Sequence, residues 1–168
     1  MGYKTVLIPF DFNHQSLNFI HSCLTQIDEP VKIRLVFSSQ TEESIFSLLF
    51  ESKSRRIRKY LDQEFREELD IIKNVHENKI QEFTVDVFRG WNRAALANFC
   101  EGNKVDMIML PTGTLSTSAQ HRWLIKNLRK AALPIQLIET IQRTGFIQQS
   151  TATIDGEHQS ADKVEVTR

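Results

Sequence analysis

The chain has 168 residues, 40% of them hydrophobic, enough to bury the core of one ordinary domain without disulfide or metal support. Its 21 Lys and Arg balance 21 Asp and Glu, so it lacks the basic excess with which a general nucleic-acid binder neutralises phosphates. Its two cysteines, Cys23 and Cys100, are too few and too far apart for a disulfide framework or a zinc ribbon, and both sit in apolar helical patterns as small buried hydrophobes of a reducing compartment.

The opening MGYKTVLIPF lacks the basic segment, long apolar run and cleavage site of a secretory leader. Val6 stands where N-terminal acylation after Met-Gly asks for Ser or Thr. No apolar run approaches the roughly 20 residues that span a bilayer. These features lead us to expect a cytoplasmic protein with no membrane partner.

Residues 4–10 are a continuous apolar run, as in a buried parallel strand. Asp11 and Asn13 follow as turn and cap residues. Leu17, Ile20, Cys23 or Leu24, and Ile27 then recur at helical spacing, which predicts a helix over 15–28 that Pro30 stops. VKIRLVF, 31–37, is the second strand. Lys32 and Arg34 fall on one of its faces, which predicts a less covered side. Residues 41–78 hold no Gly or Pro and carry two apolar stripes, Ile45, Leu48 and Leu49, then Ile57, Leu61, Phe65, Leu69 and Ile72. This is one long helix or two helices broken near 52–54. FTVDVF, 83–88, alternates as a strand, and a helix over 92–101 follows Gly90. Residues 104–110 are the fourth strand, 119–132 a helix ended by Pro134, and 135–138 the fifth strand.

Strands that alternate with helices predict right-handed crossovers and a mainly parallel α/β sheet covered on both faces. Ligands of such folds bind at the carboxyl ends of the strands. Segments 9–13, 37–39, 89–92 and 111–118 therefore surround one candidate crevice. Residues 140–168 hold few large apolar side chains among many Gln, Thr and Ser. They are expected to form a polar, flexible tail behind a domain of residues 1–139.

TVLIPFDF at the first strand, VKIRLVFSS at the second, the Gly- and Pro-free helical stretch, FRGWNRAALANFCEGNKVDMIMLPTG and HRWLIKNLRKAALPIQLIE together resemble the universal stress protein family. The likeness covers residues 3–139. It implies a five-stranded parallel sheet of order 3-2-1-4-5 with helices on both faces, of the adenine nucleotide alpha hydrolase-like kind. It also implies dimerisation through the fifth strand, here Ile135, Gln136, Leu137 and Ile138. ATP-binding members share an Asp after strand one, a backbone contact after strand two, and a phosphate loop Gly-x-x-Gly followed by Gly-Ser or Gly-Thr. Asp11 matches the first element and Phe37 lies near the second. The loop departs from the pattern. Pro111 and Thr114 replace its first two glycines, Gly113 is out of register, and His121 and Arg122 stand at the Gly-Ser pair. A side chain blocks close approach of phosphate to backbone, and Pro111 removes a donor. ATP is therefore not expected to bind well, and no cofactor is expected.

The candidate ligand-binding residues are Pro9, Asp11, Phe37, Gly90, Gly113, Ser118, His121 and Arg122. Four of them have a local alternative. Asp11, a candidate ribose or adenine contact, reads more simply as a turn and capping carboxylate at a helix start. Ser118 reads as an N-cap, with His121 and Arg122 solvated, although positive charge there opposes the helix dipole that a bound anion would relieve. The basic run 53–60 precedes Asp62, Glu64, Glu67, Glu68 and Asp70 and reads as a charge-paired helix face, so no nucleic-acid partner is expected. The five histidines show no spacing along the chain that suggests a metal site. No nucleophile elbow or P-loop is present. Two readings result. The first is a non-catalytic universal-stress-type homodimer, a sensor or adaptor that engages a partner protein. The second is a nucleotide or small-anion binder using Asp11, His121 and Arg122.

Overall fold

The structure is a computed structural model that describes residues 2–39, 63–113 and 118–141. Strand β1 (Thr5–Pro9) is buried at every residue, as a continuous apolar run should be when both faces of its sheet are covered. It is followed by α1 (His14–Thr25), β2 (Val31–Ser38), α2 (Gln63–Val75), a short 3-10 turn (Glu77–Lys79), β3 (Ile80–Phe88), α3 (Arg93–Gly102), β4 (Met107–Pro111), α4 (Ala119–Leu128) and β5 (Ile135–Ile138). The sheet order is β3-β2-β1-β4-β5 and every pairing is parallel, as expected.

Two cores lie on opposite faces of this sheet. Leu17, Ile20, Leu24, Phe65, Leu69 and Ile72 of α1 and α2 pack on Val6, Ile8, Ile33 and Leu35. Leu96, Cys100, Leu124 and Leu128 of α3 and α4 pack on Leu7, Val36, Ile108 and Leu110. The alternation along each strand thus sends one set of side chains to each helix layer. Both cysteines are buried and unpaired, and burial pushes both thiols up, so they act as hydrophobes. Lys32 and Arg34 occupy the polar part of the α3 face. They pair with Glu82 at 3.3 Å and with Asp86, both on β3.

Several boundaries differ from the sequence reading. β3 starts at Ile80 rather than 83, because Ile80 and Glu82 continue the ladder with Val31 and Lys32 although their side chains lack alternation. β4 starts at Met107 rather than 104. Lys104 takes a left-handed φ of 51° and turns the chain, and Thr5 N–H then bonds the Asp106 carboxylate at 2.8 Å to aim the strand. α1 ends at Thr25, three residues early, and α4 at Leu128, where Lys130 and Ala131 make turn bonds to Asn127 and Leu128. α2 is the part of the predicted 41–78 helix that can be described, with its stripe of Phe65, Leu69 and Ile72 buried. The earlier stripe and the basic run lie outside the described residues, as does the tail beyond Ile141. Among the described residues, no helix is long and apolar enough to cross a membrane.

Candidate functional site

Four phenylalanines crowd the carboxyl ends of β1 and β2. Phe10 follows β1 directly, and its N–H bonds the Val36 carbonyl at 2.9 Å, so it prolongs the strand edge. Phe12 lies edge-on to Phe10 and Phe37, with centroids at 5.3 and 4.7 Å. Phe65 of α2 stacks on Phe10 at 6.0 Å. Offset and edge-to-face packing at these separations is favourable beyond the buried area. Phe37 is therefore a core residue here, and Pro9 is the last buried residue of β1.

Asp11 stands in the turn below this cluster, where its N–H bonds Ser16 Oγ at 3.0 Å. It is not the helix cap. Asn13 holds that place and accepts the Ser16 N–H at 2.8 Å, because its side chain sits three residues before the donor it must reach. The Asp11 carboxylate acts instead on His121, across the edge of the sheet.

His121 belongs to the first turn of α4, whose N-cap is Ser118, with His121 N–H directed to Ser118 Oγ at 3.4 Å. The expectation that His121 is solvated is wrong. The residue is 3% exposed, and among the described residues no group meets either ring nitrogen in good hydrogen-bond geometry, the Phe10 carbonyl lying nearby. The reason is that α4 lies across β1 and β2, so position 121 faces the sheet beside Leu124 rather than the solvent. Burial pushes its pKa down. The Asp11 carboxylate and the nearby Phe10 carbonyl oppose that shift without reversing it. Arg122, one position on, is exposed, as expected for the opposite face of the helix.

Gly90 and Gly113 differ in kind. A side chain at Gly90 would place Cβ 2.3 Å from Phe88 Cζ and 2.8 Å from Ala95 Cβ, so packing explains this glycine without a ligand. Gly113 is exposed, with nothing within 4 Å of its hypothetical Cβ. Before it, Pro111 closes β4, and its carbonyl accepts from Arg129 at 2.8 Å. Thr114 lies outside the described residues. The fold thus brings Pro9, Asp11, Phe37 and His121 to the carboxyl ends of β1 and β2, while Gly90 serves the end of β3. The sequence reading missed the phenylalanine cluster. Its signal was present in the Phe-Asp-Phe run after β1, but only the fold adds Phe65.

This topology is shared with known structures. The hypothetical protein PH0823 has 19% identity and a TM-score of 0.53, over 84% of this chain and 99% of that one. A universal stress protein solved in complex with cAMP has 18% identity and a TM-score of 0.49, over 84% and 100%. UspA from Lactobacillus plantarum has 11% identity and a TM-score of 0.49, over 82% and 99%. The chain has the universal stress protein-like α/β fold. No protein-family model matches the chain, and no curated protein matches its sequence. At these identities the likeness is one of fold alone.

Proposed function

We propose that this chain is a non-catalytic universal-stress-type protein, a homodimeric sensor or adaptor of the cytoplasm that does not bind ATP well. The observation that carries this reading is what fills the carboxyl ends of β1 and β2. Phe10, Phe12, Phe37 and Phe65 pack against one another on the α1 and α2 side, and His121 is inserted from α4 on the other. A base or phosphate entering there would have to displace packed aromatic rings. The two glycines and the donor missing around Pro111 remove the backbone surface that cradles phosphate. Calorimetry with ATP and magnesium tests this. No measurable heat of binding is expected, and a dissociation constant in the low micromolar range would overturn the reading.

A second reading has one observation in its favour. His121 is a buried imidazole with no well-formed hydrogen bond among the described residues, beside Asp11 and at a helix N-terminus, and Arg122 follows it. A small anion or nucleotide could supply the missing partner. Native mass spectrometry of the purified protein separates the two. Mass retained by the wild type and lost in His121→Leu supports the second, and a bare chain mass supports the first.

A further inference from the structure

Glu64 and Glu68 lie four residues apart on α2 and so share one face of that helix. At the first turn of α1 this face meets His14. One ligand atom from each residue, an imidazole nitrogen and two carboxylate oxygens, lies within 4.8 Å of the other two. His14 Nδ1 stands 3.6 Å from Glu68 Oε1. Among the described residues, no Lys or Arg forms an ion pair with either carboxylate.

Two carboxylates at this spacing repel each other, and no fixed cation among the described residues pairs with them. A dication placed between the three groups satisfies all of them at once. We propose that His14, Glu64 and Glu68 bind a first-row divalent metal ion of the zinc class, which ties the start of α1 to the start of α2. The donor set selects the metal. One imidazole with two carboxylates suits zinc, which takes His nitrogen and Glu oxygen at about 2.0–2.2 Å. Magnesium and calcium prefer all-oxygen shells and gain little from His14. Ligand atoms around a tetrahedral ion sit roughly 3.3 Å apart, so the side chains must close by up to about 1.5 Å. They are free to do so, because His14 and Glu64 are exposed and Glu68 is only partly buried. The three protein ligands leave a fourth position for water.

The site stands apart from the nucleotide question. Its consequence is mechanical, since Phe65, the neighbour of Glu64, points inward to the phenylalanine cluster. An ion at this place fixes the helix that supplies that ring.

The test uses the full chain, freed of metal by chelation and titrated with zinc chloride in excess magnesium. One zinc per chain is expected, with a rise in thermal midpoint. His14→Ala and the pair Glu64→Gln with Glu68→Gln should each weaken zinc binding by roughly tenfold or more and remove the rise, whereas Glu101→Gln, an exposed carboxylate of α3, should keep both. All three substituted ligands lie at the surface, so folding of the variants is checked by circular dichroism before titration. Unchanged zinc affinity in His14→Ala, loss in Glu101→Gln, or full competition by magnesium would each overturn the proposal. The last would reduce the cluster to an acidic patch.

Discussion

Gly90 lies on a crevice segment and His121 three residues beyond another, and their surroundings give them opposite tolerances. Gly90 holds no room for a methyl group, because Phe88 is itself fixed between Phe99 at 5.6 Å and Trp123, stacked at 6.1 Å. Gly90→Ala is therefore expected to destabilise the protein by about 1–3 kcal/mol, the usual cost of overpacking. Urea unfolding measures it, and an unchanged midpoint would mean that the Phe88 ring can swing aside. His121 is held neutral by burial, with its pKa below the ordinary 6.5. Unfolding restores an ordinary imidazole. Between the lowered folded value and 6.5 the unfolded chain binds more protons than the folded one, so stability is full above 6.5 and falls as pH drops through the folded value. His121→Leu removes this titration. Its thermal midpoint should change less than that of the wild type between about pH 7.5 and about pH 5. Equal changes in the two proteins would place the acid sensitivity elsewhere. Residue types at the crevice were legible because strand ends predict where a site lies. The burial of His121 was not, since helical spacing puts positions 121 and 124 on one face only once the neighbours of α4 in the sheet are known.

At the scale of elements, the polar half of the β2–β3 ladder carries the charged pairs. Arg34 and Asp86 pair there with little exposure, at 16% and 6% of their side chains, and Arg34 Nε finds no partner among the described residues. Removing one member leaves a buried charge, so Asp86→Ala is expected to cost about 3–5 kcal/mol. Replacing both, Arg34→Met with Asp86→Leu, should recover most of that loss, because the desolvation of two ions disappears with them. Denaturant midpoints of the single and double variants decide it, and a loss below about 1 kcal/mol for Asp86→Ala would show that water already screens the pair. The alternation of Lys32 and Arg34 in the sequence announced this face. It could not announce that β3 runs on through Gln81 and Glu82, since an edge strand is held by its ladder and not by its side chains. Capping chemistry fared better. Asn13 and Ser118, read as cap residues, each stand at a helix start and accept a backbone N–H three residues on. Asn92, read as the first helical residue, is a third such cap.

For the molecule as a whole, the open question is what meets β5. Among the described residues this strand pairs with β4 alone, so its outer side is an edge. Its side chains alternate between the two faces of the sheet. Ile138 is buried among α1 and its neighbours, while Ile135 and Leu137 share the other face at 36% and 54% exposure. Ile141 is 53% exposed just beyond, pinned by its N–H to Ser22 Oγ at 2.9 Å. An edge that carries unprotected apolar side chains and no Lys or Pro within the strand invites another strand. Pairing with its own copy about a two-fold axis would be antiparallel and self-complementary, as a closed dimer requires, and would bring Ile135 and Leu137 against their symmetry mates. We expect a dimer in light scattering at micromolar concentration. Leu137→Lys keeps every backbone donor and acceptor, leaves the exposed side chain free to reach solvent, and places like charges across the two-fold. It should yield a folded monomer. The competing occupant is the chain's own segment after Ile141, which would cover the same edge within one molecule. In that case the wild type runs as a monomer, and Leu137→Lys lowers its thermal midpoint without changing its mass. A wild-type dimer that Leu137→Lys leaves intact would place the interface away from β5.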